Sequence, residues 1–196
     1  RHAALARAVA RRRAGAEKSD AGIGAELIAR LLARPETTQL ANVVLVGDAW
    51  LWQDGQTIAG TAHELDPVSS LASVRGRADT SRAAFLAVDT VPREQVQRGT
   101  AQAVGGASVL AVLNRCMDAA QAGEVDAITF APLNKFAMKQ GGLKHDDELH
   151  HFAQYLGVQG FFCEFNTLDG LWTSRISSHV PLADVPKYLT RERIIE

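Results

Sequence analysis

Four consecutive apolar residues, Val43-Val44-Leu45-Val46, stand between Asn42 and the turn formers Gly47-Asp48. No other segment restricts the fold of this chain as much. A short β-branched run closed by turn residues describes a buried strand. Helix-like and strand-like segments alternate around it. Gly22-Ile23-Gly24 opens a helix with Ile23, Leu27, Ile28, Leu31 and Leu32 on one face of a 3.6-residue period, and Pro35 ends it. Residues 55–80 are loop-rich, and 83–88 read as a second strand. Residues 93–122 read as one long helix. Gly105-Gly106 at its middle costs about 1 kcal/mol per glycine relative to alanine, which signals close packing or a break. Gly123 is its expected C-cap. Residues 125–130, 161–165 and 171–178 read as further strands, and 146–156 as a helix. The alternation predicts an α/β fold with a largely parallel sheet flanked by helices.

Bulk composition narrows the function classes. The chain has 196 residues, 46% hydrophobic and 22% charged, which suits one globular domain, or one plus part of another. A net charge of -1 gives no support to nucleic-acid binding. No apolar run approaches the roughly 20 residues that span a bilayer. Cys116 and Cys163 are expected as reduced, buried thiols of a cytoplasmic protein. The first 13 residues carry Arg1, Arg7, Arg11, Arg12 and Arg13 and no acid, and 1–17 reads as an atypical, helix-like Arg/Ala-rich start; a transit peptide is the alternative reading. A helix-like segment beginning near Thr190 stops at Glu196, which suggests truncation.

Open α/β sheets bind ligands beyond the carboxyl ends of their strands. Three places qualify. Ala131-Pro132-Leu133-Asn134-Lys135 follows the strand at 125–130 and offers a lysine, or an ordinary surface turn. His145-Asp146-Asp147-Glu148-Leu149-His150-His151 crowds imidazoles and carboxylates around a helix start. Asp147 and His151 are four apart, a spacing that can hold a metal, although acids at that place also suit a helix dipole. Ser177-Ser178-His179-Val180-Pro181 puts a histidine where a strand enters a loop, as a ligand, an acid-base group or a partly buried structural histidine. Gly22-Ile23-Gly24 lacks the third glycine and the lysine of phosphate loops and reads as a tight turn.

Taken in order, these pieces resemble the PdxA family, the 4-hydroxythreonine-4-phosphate dehydrogenases and related sugar-acid-phosphate dehydrogenases. The family's GDPAGIGPE motif is similar to Lys18-Ser19-Asp20-Ala21-Gly22-Ile23-Gly24-Ala25-Glu26. Its DAxxTGPxxK motif resembles Asp126-Ala127-Ile128-Thr129-Phe130-Ala131-Pro132-Leu133-Asn134-Lys135. Its GHTE motif resembles Lys144-His145-Asp146-Asp147-Glu148, and its T-T-H-x-P-L motif resembles Ser177-Ser178-His179-Val180-Pro181-Leu182. The resemblance implies an isocitrate/isopropylmalate dehydrogenase-like fold, truncated here. Residues 18–196 would form the family's N-terminal part, without its C-terminal NAD-binding part. In place of the family's first strand, the helix-like Arg/Ala segment is expected.

The resemblance also implies roles. His179 would be a ligand of a catalytic divalent metal (zinc, magnesium, cobalt or manganese), and His145 with Asp146 would contact substrate. Asp146 stands where the family has threonine. An added acid beside an anionic substrate is repulsive unless a cation lies between, so another substrate is expected, such as a four-carbon sugar-acid phosphate. The implied reaction is oxidation by NAD or NADP of a phosphorylated 3-hydroxy acid, followed by decarboxylation, in a homodimer without nucleic-acid or membrane partners. It requires His145 and His179 to face one cleft. Two other readings remain: a non-catalytic fragment that keeps ligand or dimer contacts, and a metal-dependent phosphohydrolase built on His145, Asp147, His150 and His151.

Overall fold

The computed structural model describes residues 2–6, 22–177 and 180–195. The chain divides into two compact units, Arg1–Asp147 and Glu148–Glu196.

The first unit is built on a five-stranded, wholly parallel sheet of order β3-β4-β2-β1-β5. The strands are β1 (His2–Ala6), β2 (Asn42–Gly47), β3 (Asp66–Pro67), β4 (Ala84–Ala87) and β5 (Ala127–Phe130). The expected α/β class with a parallel sheet is what forms. β2 lies between two neighbours, and Val43 to Val46 are each at most 3% exposed. That is why its sequence runs apolar without alternation: a parallel strand covered on both faces has no wet side. Val43 and Leu45 join Ile28, Leu32, Ala83 and Ala131 in one core cluster. The two-residue period sends Val44 and Val46 to the opposite face.

At residues 2–6 the structure corrects the sequence reading of a helix-like start, while residues 7–21 lie outside the described residues. His2–Ala6 is not helical. It is strand β1, paired in register from His2 with Asn42 to Ala6 with Val46 on one side, and with residues 127–130 of β5 on the other. Alanine and leucine favour helices in isolation, but pairing on both edges overrides that preference.

The helices of this unit are α1 (Gly24–Leu32), α2 (Pro35–Leu40), α3 (Ala49–Ala59), α4 (Ala103–Gln121) and α5 (Lys135–Gln140). Pro35 ends α1 as expected and also occupies the first position of α2, where its missing N–H costs nothing. α3 falls partly in a stretch read as loop. Gly55 misled that reading. It sits inside α3 because a Cβ there would lie 2.6 Å from the Ala25 carbonyl oxygen, so the glycine permits α1 and α3 to touch. The long helix expected over 93–122 begins only at Ala103. Residues 93–95 form a 3-10 turn, and Gly99, at φ 73°, holds a left-handed conformation that an α-helix cannot contain. Gly105-Gly106 does not break α4. A Cβ on Gly106 would stand 1.8 Å from the Ala137 carbonyl oxygen, so this glycine marks the crossing with α5. α4 ends at Gly123 (φ 68°), with Gly123 N donating to Ala120 O and Glu124 N to Ala119 O, the Schellman pattern.

The second unit contains α6 (Glu148–Tyr155), an antiparallel hairpin of β6 (Phe165–Leu168) and β7 (Leu171–Ser174), a 3-10 turn (Leu182–Tyr188) and α7 (Arg191–Ile195). The expected strand at 161–165 is displaced to begin at Phe165. The one expected over 171–178 ends at Ser174. Cys163 lies in a half-buried loop rather than a strand. Among the described residues no helix is long and apolar enough to cross a membrane.

Candidate functional site at the carboxyl edge of the sheet

Because all five strands run parallel, their carboxyl ends share one edge, where an open α/β sheet places its ligands. β2 delivers Asp48 to this edge. Asp48 is 2% exposed and occupies the N-cap position of α3, yet its carboxylate does not cap that helix. It accepts hydrogen bonds from Thr90 N (2.9 Å), Val91 N (3.2 Å) and Thr90 Oγ1 (2.7 Å). Thr90 Oγ1 also lies 2.6 Å from Ser108 Oγ of α4. A buried carboxylate is tolerated where donors replace its hydration, and Thr90 N, Val91 N and Thr90 Oγ1 do so here. The effect is to fix the segment after β4. Trp50 Nε1 adds a 3.0 Å bond to Val91 O. Further along, Arg93 (2.9 Å) and Arg98 both pair with Asp54 of α3, a carboxylate only 9% exposed.

β5 delivers the next group. Past Ala131-Pro132-Leu133, Asn134 caps α5 by accepting a 3.0 Å bond from Ala137 N. Lys135 is therefore the first residue of α5 and is exposed. α5 is seated against α4 by two close approaches, Gly106 on Ala137 and Gly141 on Ala107. It leads into the segment holding His145, half-buried, and Asp146, exposed. Lys139 Nζ, from the last turn of α5, stands 3.5 Å from Asp146 Oδ1. Asp147 is 7% exposed.

Lys135, Lys139, His145 and Asp146 thus all lie in the stretch that follows β5, and the structure brings Lys139 and Asp146 together. Ser178 and His179 lie outside the described residues, and Ser177 is three residues beyond the end of β7. The expected meeting of His145 and His179 therefore carries no geometry here. Gly22, at φ 87°, makes the tight turn into α1, and the N-cap residue Ile23 supplies no side-chain bond. Among the described residues no three His, Cys, Asp or Glu side chains are grouped to hold a metal ion. The phosphohydrolase set of His145, Asp147, His150 and His151 therefore has no such group in its support. The His150 ring packs edge-on against Phe162, and His151 lies against Phe152 and Tyr155.

Sequence reasoning missed Asp48, Thr90 and Ser108, and it missed Lys139. Asp48 was visible as a turn residue after a strand. Its partners lie 42 or more residues away, so no local pattern announces them.

The comparisons with known proteins agree with this architecture. The family model described as pyridoxal phosphate biosynthetic protein PdxA matches residues 39–196, which contain three of the four motifs. A Pseudomonas aeruginosa protein provisionally named 4-hydroxythreonine-4-phosphate dehydrogenase 2 is 43% identical over 178 residues, 90% of this chain and 52% of that protein. A Symbiobacterium thermophilum protein provisionally named D-threonate 4-phosphate dehydrogenase is 30% identical over 176 residues, again 90% and 52%. A crystal structure of a 4-hydroxythreonine-4-phosphate dehydrogenase from Burkholderia phymatum superposes with a TM-score of 0.76 at 22% identity, covering 97% of this chain and 54% of that one. The chain spans about half the length of the curated relatives it matches. With most of its residues matched by the family model, the chain belongs to the PdxA family of dehydrogenases.

Proposed function

We propose that this chain is the substrate-facing part of a dehydrogenase that oxidises and decarboxylates a phosphorylated 3-hydroxy acid. The substrate is 4-phosphohydroxy-threonine or a four-carbon sugar-acid 4-phosphate, and the oxidant is NAD or NADP. The observation that carries this reading is the family match over residues 39–196, supported by the names of the relatives, which specify 4-hydroxythreonine-4-phosphate or D-threonate 4-phosphate. His145 and Asp146 are the substrate contacts in this reading. Their place after β5 suits the role, because Asn134 and the glycine crossings fix α5, which leads to them, on the sheet.

A divalent metal belongs to the same reading, with His179 as a ligand. A catalytic metal takes about three protein ligands. The described residues do not fit that need by themselves, since no three candidate ligands are grouped among them. In this reading dinucleotide binding falls to none of the described residues. The active assembly in this reading is a homodimer.

The same observation favours a second reading, in which the chain binds its ligand without turning it over. Calorimetry with NAD and with D-threonate 4-phosphate in the presence of magnesium, beside an assay for NADH formation, separates the two. NADH formation that depends on the phosphorylated acid and disappears in His179→Ala supports the enzyme. Binding of the acid without NADH supports the ligand-binding part. Neither binding nor turnover removes both.

A further inference from the structure

An acid at position 146 beside an anionic substrate needs a cation close by. The structure supplies one that the sequence did not reveal. Lys139 Nζ stands 3.5 Å from Asp146 Oδ1, seven residues back along the chain. The approach is built into the end of α5. Gly142, at φ 111°, reverses the chain there. Gly142 N donates to Lys139 O (3.3 Å) and Leu143 N to Met138 O (2.9 Å), the Schellman pattern again. Leu143 and Met138, the pair of positions whose contact usually accompanies that turn, are both buried, at 5% and 1% exposure. The turn therefore directs residues 144–146 back past the last turn of α5, where Lys139 projects.

Stability does not account for the pair. The Lys139 side chain is 50% exposed and that of Asp146 89%, the range in which ion pairs contribute little to folding. The same exposure leaves both groups open to a ligand. We propose that Lys139 is a specificity-determining residue. It neutralises Asp146, so the corner made by His145 and Asp146 admits a phosphorylated acid. Asp146 is left as an acceptor for a substrate hydroxyl. A lysine suits this role, because its compact charge sits on a flexible stem and can be shared between a carboxylate and a phosphate. The inference rests on the reading above, in which residues 145 and 146 face the substrate.

The test is calorimetry of the 196-residue chain with D-threonate 4-phosphate and magnesium. The variants are Lys139→Met, Asp146→Asn, the two combined, and Lys139→Arg, each with a thermal melt to verify folding. Lys139→Met, which leaves Asp146 uncompensated, is expected to weaken binding about tenfold. The double variant should return to within about threefold of the parent, and Lys139→Arg should bind like the parent. Unchanged affinity in Lys139→Met overturns the proposal. Equal loss in Lys139→Met and in the double variant also overturns it, because the lysine then acts on the ligand and not through Asp146. Failure of the unsubstituted chain to bind removes the underlying reading instead, a result distinguishable from both.

Discussion

Thr90 Oγ1 donates a 2.7 Å hydrogen bond to Asp48 Oδ2, and across that bond the end of β2 holds the segment that follows β4. The same carboxylate binds the backbone N–H groups of Thr90 and Val91. Replacing Asp48 with alanine strands two backbone donors in a site that is 2% exposed. Each buried donor left without a partner costs about 1–3 kcal/mol, so Asp48→Ala should lose roughly 3 kcal/mol in urea denaturation. Asp48→Asn keeps an oxygen for the N–H groups and can donate to Thr90 Oγ1, which then donates to Ser108. It should lose about 1 kcal/mol. Equal losses in the two variants would show that the negative charge, not the hydrogen-bond pattern, is what matters.

Two adjacent glycines give a sharper comparison. A Cβ on Gly106 meets the Ala137 carbonyl oxygen at 1.8 Å, while a Cβ on Gly105 meets nothing within 4 Å. Both residues lie within α4. Gly105→Ala should therefore stabilise the chain, by up to about 1 kcal/mol, through helix propensity alone. Gly106→Ala must push α5 off α4 and should cost about 3 kcal/mol or more, since backbone cannot yield as a side chain does. Thermal melts of the two variants should move in opposite directions.

These contrasts show what the sequence disclosed and what it hid. β2, β4 and β5 were legible because β-branched or apolar runs end in turn residues. The glycine pair in α4 was legible as a warning of close packing, but not which of the two mattered, because that depends on α5, some 30 residues later. β1 was hidden, since His-Ala-Ala-Leu-Ala carries no strand preference and is made a strand by its two neighbours. α3 was hidden because Gly55, a helix breaker in isolation, is required by Ala25. At the candidate site, the His-Asp cluster after β5 was visible as a local pattern. The carboxylate clamp at Asp48 and the lysine beside Asp146 join residues that only the fold brings together.

The two cysteines should differ in reactivity. Cys116 has no exposure, and burial pushes its thiol up to about 12 from an ordinary value of 9.0. Cys163 is half-buried. A disulfide reagent at about pH 8 should titrate Cys163 readily and Cys116 only after unfolding, since the thiolate is the reactive form. The sign of the pH effect follows from the raised value. Below pH 9 the thiol is protonated whether the chain is folded or not, and its contribution is complete. As pH rises from 9 toward 12 the unfolded chain ionises first, and that stability is lost. Cys116→Ala should flatten the alkaline limb of the stability curve, and an unchanged limb would assign the loss to other groups.

The opposite edge of the sheet is closed by a cation. The Arg77 side chain, 10% exposed, bonds Asp66 of β3 (2.5 Å), the Asn42 side chain at the start of β2 (3.3 Å) and the Arg82 carbonyl before β4 (2.9 Å). Arg82 itself pairs with Glu64 at 2.8 Å, but its side chain is 56% exposed and that of Glu64 79%. The two arginines are five residues apart and make bonds of similar length, but Arg77 is mostly buried and bonds three groups, whereas Arg82 is exposed and pairs with Glu64. Arg77→Ala removes bonds to β3, to β2 and to the segment that enters β4, and leaves Asp66 without its guanidinium, at a cost of about 2 kcal/mol. Arg82→Ala should change stability by no more than about 0.5 kcal/mol. Because Arg77 acts at the amino ends of the strands and ligands bind beyond the carboxyl ends, affinity for D-threonate 4-phosphate, measured well below the melting temperature, should be the same in both variants. A loss of affinity in Arg77→Ala without unfolding would place the ligand at the amino edge and move the site away from His145 and Asp146.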